Sequence, residues 1–112
     1  HGGIAQGVGQ ALWELCDYDA ETGQLRSATF MDYAMPRADM LPAFTTEISE
    51  VPSTSNPLGL RGGGEGGTTP APAAVVNAVV DALAHLGVEH IEMPVTPARV
   101  WEAIRAAAGG RA

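Results

Sequence analysis

The sequence has 112 residues, of which 46% are hydrophobic and only 17% charged, with a formal net charge of −7 from 13 acidic and 6 basic residues. That length suits one domain rather than two, and the acidic balance offers no electrostatic footprint for nucleic acid or an anionic membrane surface. Soluble domains carry charge on about a quarter of their residues, so the shortfall points to a surface that meets other protein.

Ile4, Val8, Leu12 and Leu15 recur at helical spacing and predict a helix over 2–15. Gly2, Gly3, Gly7 and Gly9 each weaken such a helix. A helix that keeps them must pack at close range, against a backbone or a ligand. Two short strands, 16–20 and 24–31, are expected around the turn Glu21-Thr22-Gly23. Pro36 and Pro42 make the next stretch irregular. Alternation over 44–51 predicts a third strand.

The stretch 52–69 is rich in Ser, Asn, Pro and Gly and reads as a long structureless loop, a feature that is functional or disordered in compact domains. Thr69 as N-cap and Pro70 at the first helical position would start a helix over 71–86, with Val76, Val79, Val80 and Leu83 on one stripe and Gly87 as its stop. A short strand over 88–93 follows. Thr96-Pro97 would open a last helix to 108 with Val100, Trp101 and Ile104 inward, and 109–112 would fray. The sum is an α+β chain of short antiparallel strands and about three helices.

Cys16 is the single cysteine, so no internal disulfide can form, and a reducing, cytoplasmic setting is expected. No apolar run is long enough to span a membrane. The chain opens on His1 inside a structured-looking pattern, which reads as a piece of something longer.

Chemistry concentrates in Arg61-Gly-Gly-Gly-Glu-Gly-Gly-Thr. Gly62, Gly64 and Gly67 satisfy G-x-G-x-x-G, but no strand precedes them, and no Lys stands where a phosphate-binding loop needs one. A nucleotide-binding module is therefore a distant reading. What stands out is Glu65, a carboxylate with five glycines around it and no neighbouring side chain to shield it. In a closed pocket its pKa would rise and suit it to proton transfer. On the residues alone, a solvated Glu in a surface loop is the favoured alternative. Gln6 is a second candidate, because its amide both donates and accepts, with a solvent-facing Gln an equal alternative on the residues alone. His1, His85 and His90 lack metal-ligand spacing, and Asp17, Asp19 and Glu21 read as a solvated cluster.

Four ordered motifs then carry a resemblance: His1-Gly-Gly-Ile-Ala-Gln-Gly-Val-Gly-Gln-Ala-Leu, Phe30-Met-Asp-Tyr-Ala-Met-Pro-Arg-Ala-Asp, Asn56-Pro-Leu-Gly and Gly64-Glu-Gly-Gly-Thr. Together they resemble the C-terminal part of the molybdopterin-binding large subunit of the xanthine dehydrogenase, aldehyde oxidase and carbon monoxide dehydrogenase family. The resemblance covers nearly the whole chain. It departs from the family's usual Lys at Arg61 and its usual Ile-Gly at Thr69-Pro70.

The resemblance implies Glu65 as general base, Gln6 against the molybdopterin and Gly64 close to the metal centre, with no metal ligand from this chain. It implies molybdopterin, in its cytosine dinucleotide form, with Mo. Iron–sulfur clusters and FAD would sit on partner subunits or domains. The expected partners are the remainder of the large subunit, the iron–sulfur and flavin subunits, and a small-molecule substrate. The reaction implied is oxidative hydroxylation of an aldehyde or N-heterocycle with water as oxygen source. The competing expectation is a catalytically inert structural or assembly piece that docks onto a partner subunit.

Overall fold

The computed structural model describes residues 1–109. Three α-helices carry the fold: α1 (Gly2–Leu12), α2 (Ala71–Leu83) and α3 (Pro97–Gly109), with single 3-10 turns at Ala38–Met40 and Ala84–Leu86. The expected α1 is cut short where the N–H groups of both Trp13 and Glu14 fall on the Gly9 carbonyl. Helix α2 starts at Ala71 with Pro70 rather than the expected Thr69 as its N-cap and no side-chain cap, and its 3-10 continuation ends at Gly87 in the left-handed region, φ 89°. Only glycine occupies that conformation without strain. Gly109 ends α3, and 110–112 of the expected frayed tail lie outside the described residues.

The α2 stripe Val76, Val79, Val80 and Leu83 packs on a small core of Val88, Ile91 and Val95, closed by Leu12 of α1 and Val100 of α3. The Val95 amide donates to the Ala11 carbonyl at 2.6 Å and ties this core to the end of α1. Trp101 does not turn inward as expected. It is 59% exposed, with the Arg105 guanidinium 5.0 Å from its ring centroid, an exposed cation–π pair.

The α+β expectation is corrected: no strand forms among the described residues. The predicted hairpin keeps its turn. Gly23 sits at φ 69°, and Asp19 Oδ1 accepts the Glu21 and Thr22 amides and the Thr22 hydroxyl. Those bonds, the Thr22 amide's first, hold the Asp19 carboxyl below the usual carboxylate range. The ladder stops at one antiparallel bridge, Tyr18 with Leu25. One step on, the Asp17 amide is taken by the Ser27 hydroxyl at 2.9 Å, and the chain turns at Thr29, whose carbonyl receives the Asp32 and Tyr33 amides.

The other expected strands fail for a related reason. A strand is stable only when another strand takes its backbone groups. Among the described residues 44–51 has no such neighbour. In 88–93 both Val88 and Ile91 are buried, a spacing of three that a strand would send to opposite faces, and the carbonyls of Glu92, Met93 and Pro94 go to the Arg99 guanidinium, at 2.7 Å for Met93.

The chain is open in shape. Its radius of gyration is 18.3 Å, against about 13 Å expected for a compact domain of this length. Phe30, Met31 and Ile48 stand 85%, 93% and 87% exposed. Such surface is what a segment presents when its apolar side chains have no cover of their own.

Candidate functional site

The glycines of α1 face the start of α2. A Cβ placed on Gly3 would lie 3.1 Å from the Gly67 Cα, and one on Gly67 would lie 3.1 Å from the Ile4 amide nitrogen. One on Gly7 would lie 2.6 Å from Ala71 Cβ. At these positions the close partner anticipated for the glycine helix is the chain itself, backbone at Gly3 and Gly67 and the Ala71 and Pro72 side chains at Gly7. Gly9 faces Pro36 instead, and Gly2 faces open space.

Thr68 joins the two segments. Its hydroxyl lies 2.9 Å from the Gly3 carbonyl oxygen and 3.1 Å from Gln6 Oε1. Gln6 is exposed on α1 with its amide held at one end. Three residues before Thr68, Glu65 sits in the turn that feeds α2, its carbonyl accepting the Thr69 amide at 3.0 Å. The Glu65 side chain is exposed and has no hydrogen-bond or ion-pair partner among the described residues. The closed pocket anticipated around it is therefore not built by this chain alone. Gly62, Gly63 and Gly64 would meet nothing within 4 Å if given a Cβ, so the strip beside Glu65 is open and free of side chains.

The stretch expected to be structureless is organised by side chains. Asn56 Oδ1 accepts the Leu60 amide at 2.9 Å, and its Nδ2 donates to the Leu60 carbonyl at 3.0 Å. Gly59 takes φ 67° inside that loop, close against Pro52. The Arg61 guanidinium donates to the Val51 and Pro52 carbonyls. Asn-Pro-x-Gly is turn chemistry and was the available signal; the two-ended Asn56 staple was not foreseen. Thr68 was not foreseen either, because nothing in its neighbours marks its hydroxyl.

Replacing Asn56 with Ala is expected to speed hydrogen exchange at the Leu60 amide about fivefold, the worth of one exposed hydrogen bond. Asp at this position should show a smaller effect, because it keeps the acceptor and loses the donor. Peptide-resolved exchange in the complete protein checks both.

Among the described residues no three His, Cys, Asp or Glu side chains gather to hold a metal ion. A concavity of about 580 Å³ between α2 and 87–90, lined by Val76, Val80, Asp81 and His90, takes in neither Gln6 nor Glu65. What the α1–α2 junction offers is neutral: one amide, backbone N–H groups and a side-chain-free approach beside a carboxylate.

That offer matches a class. A family model described as a molybdopterin cofactor-binding domain matches residues 1–42, the stretch that holds α1 and Gln6. The large subunit of nicotine 6-hydroxylase from Paenarthrobacter nicotinovorans is 43% identical over 104 residues, covering 93% of this chain and 13% of that subunit. Quinoline 2-oxidoreductase from Pseudomonas putida 86 superposes with a TM-score of 0.86 at 46% identity, covering 93% of this chain and 13% of that one. The Cu,Mo-CO dehydrogenase superposes with a TM-score of 0.88 at 33% identity, over 96% of this chain and 14% of that one.

The chain belongs to the molybdopterin-binding large-subunit family of xanthine dehydrogenase, aldehyde oxidase and carbon monoxide dehydrogenase. It spans about one eighth of the length of the relatives it matches.

Proposed function

We propose that this chain is the C-terminal segment of the molybdopterin-binding domain of a molybdenum hydroxylase, supplying the general base Glu65 and part of the cofactor wall through Gln6 and Gly64. The observation that supports this most is the α1–α2 junction. There Thr68 links Gly3 and Gln6 to the turn bearing Glu65, beside glycines whose Cβ positions are open.

The residues present fit the group. A cofactor that brings its own sulfur ligands for molybdenum asks the protein for hydrogen bonds and close backbone approach rather than metal ligands. Gln6 provides the first and Gly62, Gly63 and Gly64 the second. When bound, the cofactor supplies two-electron redox chemistry. The chain's own part is to orient the cofactor through the Gln6 amide and to accept a proton on the Glu65 carboxylate. Gly64 keeps the space next to that carboxylate clear.

Nicotine and quinoline, named in two of the relatives, are N-heterocycles, which supports an N-heterocycle as substrate. An aldehyde as the other substrate class and water as the oxygen source rest on the family resemblance alone. The cytosine dinucleotide form of the cofactor, iron–sulfur and FAD partners, and a cytoplasmic setting complete the proposal. No helix among the described residues is long and apolar enough to cross a membrane.

A second reading, a catalytically inert docking piece, draws support from the open shape and from exposed Phe30 and Met31. It concerns the isolated chain and leaves the role of Glu65 in the complete protein standing.

The test is isotopic. The complete protein, purified with bound molybdenum and offered N-heterocycles and aldehydes in H₂¹⁸O, is expected to place one ¹⁸O in the product by mass spectrometry. Oxygen drawn from O₂, or turnover without molybdenum, overturns the proposal.

A further inference from the structure

We propose that Thr68 is a positioning residue whose hydroxyl holds one end of the Gln6 amide so that its other end faces the cofactor. The inference rests on the reading of Gln6 as cofactor wall given above.

The geometry is specific to this residue. Thr68 Oγ1 lies between the Gly3 carbonyl oxygen, at 2.9 Å, and Gln6 Oε1, at 3.1 Å. Its backbone is hemmed in on both sides: a Cβ on Gly3 would lie 3.1 Å from the Thr68 nitrogen, and one on Gly7 would lie 3.1 Å from the Thr68 oxygen. Positions 3, 6 and 7 share one face of a helix, so α1 holds Thr68 through two glycines and contacts its hydroxyl through Gln6. A β-branched side chain on a backbone so confined has few rotamers left. The hydroxyl is therefore a fixed point rather than a wandering donor.

Gln6 is exposed and would otherwise rotate freely about its side-chain torsions. Held at Thr68 by one end of its amide, it presents the other end outward. Thr68 also stands three residues after Glu65 in the turn closed by the Thr69-to-Glu65 hydrogen bond. One side chain thus ties the amide-bearing helix to the carboxylate-bearing turn.

The experiment is a double-mutant cycle in the complete molybdenum-loaded enzyme, with Thr68→Val, Thr68→Ser, Gln6→Ala and the Gln6→Ala/Thr68→Val pair. The readouts are molybdenum and pterin per polypeptide, the Mo(V) electron paramagnetic resonance spectrum, and kcat and KM. Thr68→Val is expected to alter the spectrum and lower kcat/KM about tenfold, the worth of one well-placed hydrogen bond. Thr68→Ser should return to within about twofold of the parent, and Thr68→Val should add less than about twofold once Gln6 is Ala.

A Thr68→Val enzyme with parental spectrum and rate, while Gln6→Ala is impaired, overturns the role of Thr68 and leaves that of Gln6. The full tenfold loss persisting in the Gln6→Ala background does the same. A Gln6→Ala enzyme unchanged in cofactor content, spectrum and rate overturns the reading of Gln6 and the proposal with it. If Thr68→Val does not accumulate folded, Thr68→Ala takes its place in the same cycle, since it leaves the backbone contacts intact.

Discussion

Glu65→Gln in the complete protein is expected to lower kcat by about a thousandfold while leaving molybdenum and pterin content at parental levels. Proton transfer by a positioned side chain contributes on the order of 10² to 10⁴ in rate, and glutamine keeps the shape while abolishing the basicity. Loss of cofactor is not expected, because the Glu65 side chain has no hydrogen-bond or ion-pair partner among the described residues. The turn around it is held by backbone, through Glu65 O and the Thr69 amide. The loss should fall on kcat and kcat/KM together with KM little changed, the pattern of an interaction made only in the transition state. Steady-state kinetics with metal analysis on the same preparation checks it. Turnover within tenfold of the parent would sink Glu65 as the base, and lost molybdenum would mark it as a structural contact instead.

The helices were legible because each has a local cause. The Val76, Val79, Val80 and Leu83 stripe, Gly87 past the end and Thr96-Pro97 at a start mark α2 and α3 within a few residues of where they stand. The strands were not, because a strand is a relation between two segments and alternation describes only one of them. The turn residues before 24–31 suggest a hairpin, yet the Ser27 hydroxyl takes the amide that a second rung would have used. Over 88–93 Val88 and Ile91, three residues apart, are both buried in a helical core instead.

The site divides in the same way. Gln6 and Glu65 were visible as polar residues among glycines, and the crowding at Gly3 and Gly7 was inferred from the helix tolerating them. Thr68 and the Asn56 staple were invisible, since each acts through one long-range or two-ended hydrogen bond that composition does not report. Arg61, where the family often has Lys, reaches two carbonyls at once. A single ammonium matches that fork less well.

Gly7→Ala is expected to open the α1–α2 junction, against the usual effect of adding a methyl to a helix. In an open helix position the change would stabilise by about 1 kcal/mol. Here the new Cβ would meet Ala71 Cβ at 2.6 Å, Pro72 Cδ at 2.9 Å and the Thr68 carbonyl oxygen at 3.1 Å. None of the three can swing aside: alanine has no rotamer, proline is a ring, and the third is backbone. The helices themselves must separate, and overpacking of that kind costs about 1–3 kcal/mol. At the upper end of that range, net of the propensity gain, the loss is about 2 kcal/mol, or about thirtyfold faster hydrogen exchange across α1.

Gly2→Ala is the control, because a Cβ there meets nothing within 4 Å, and its exchange should match the parent or slow slightly. Since separation also draws Gln6 away from Thr68, kcat/KM in Gly7→Ala should fall at least as far as in Thr68→Val. If Gly7→Ala protects α1 as well as Gly2→Ala does, close packing is not what the glycines of α1 are for. Their open side toward the cofactor would then have to explain them.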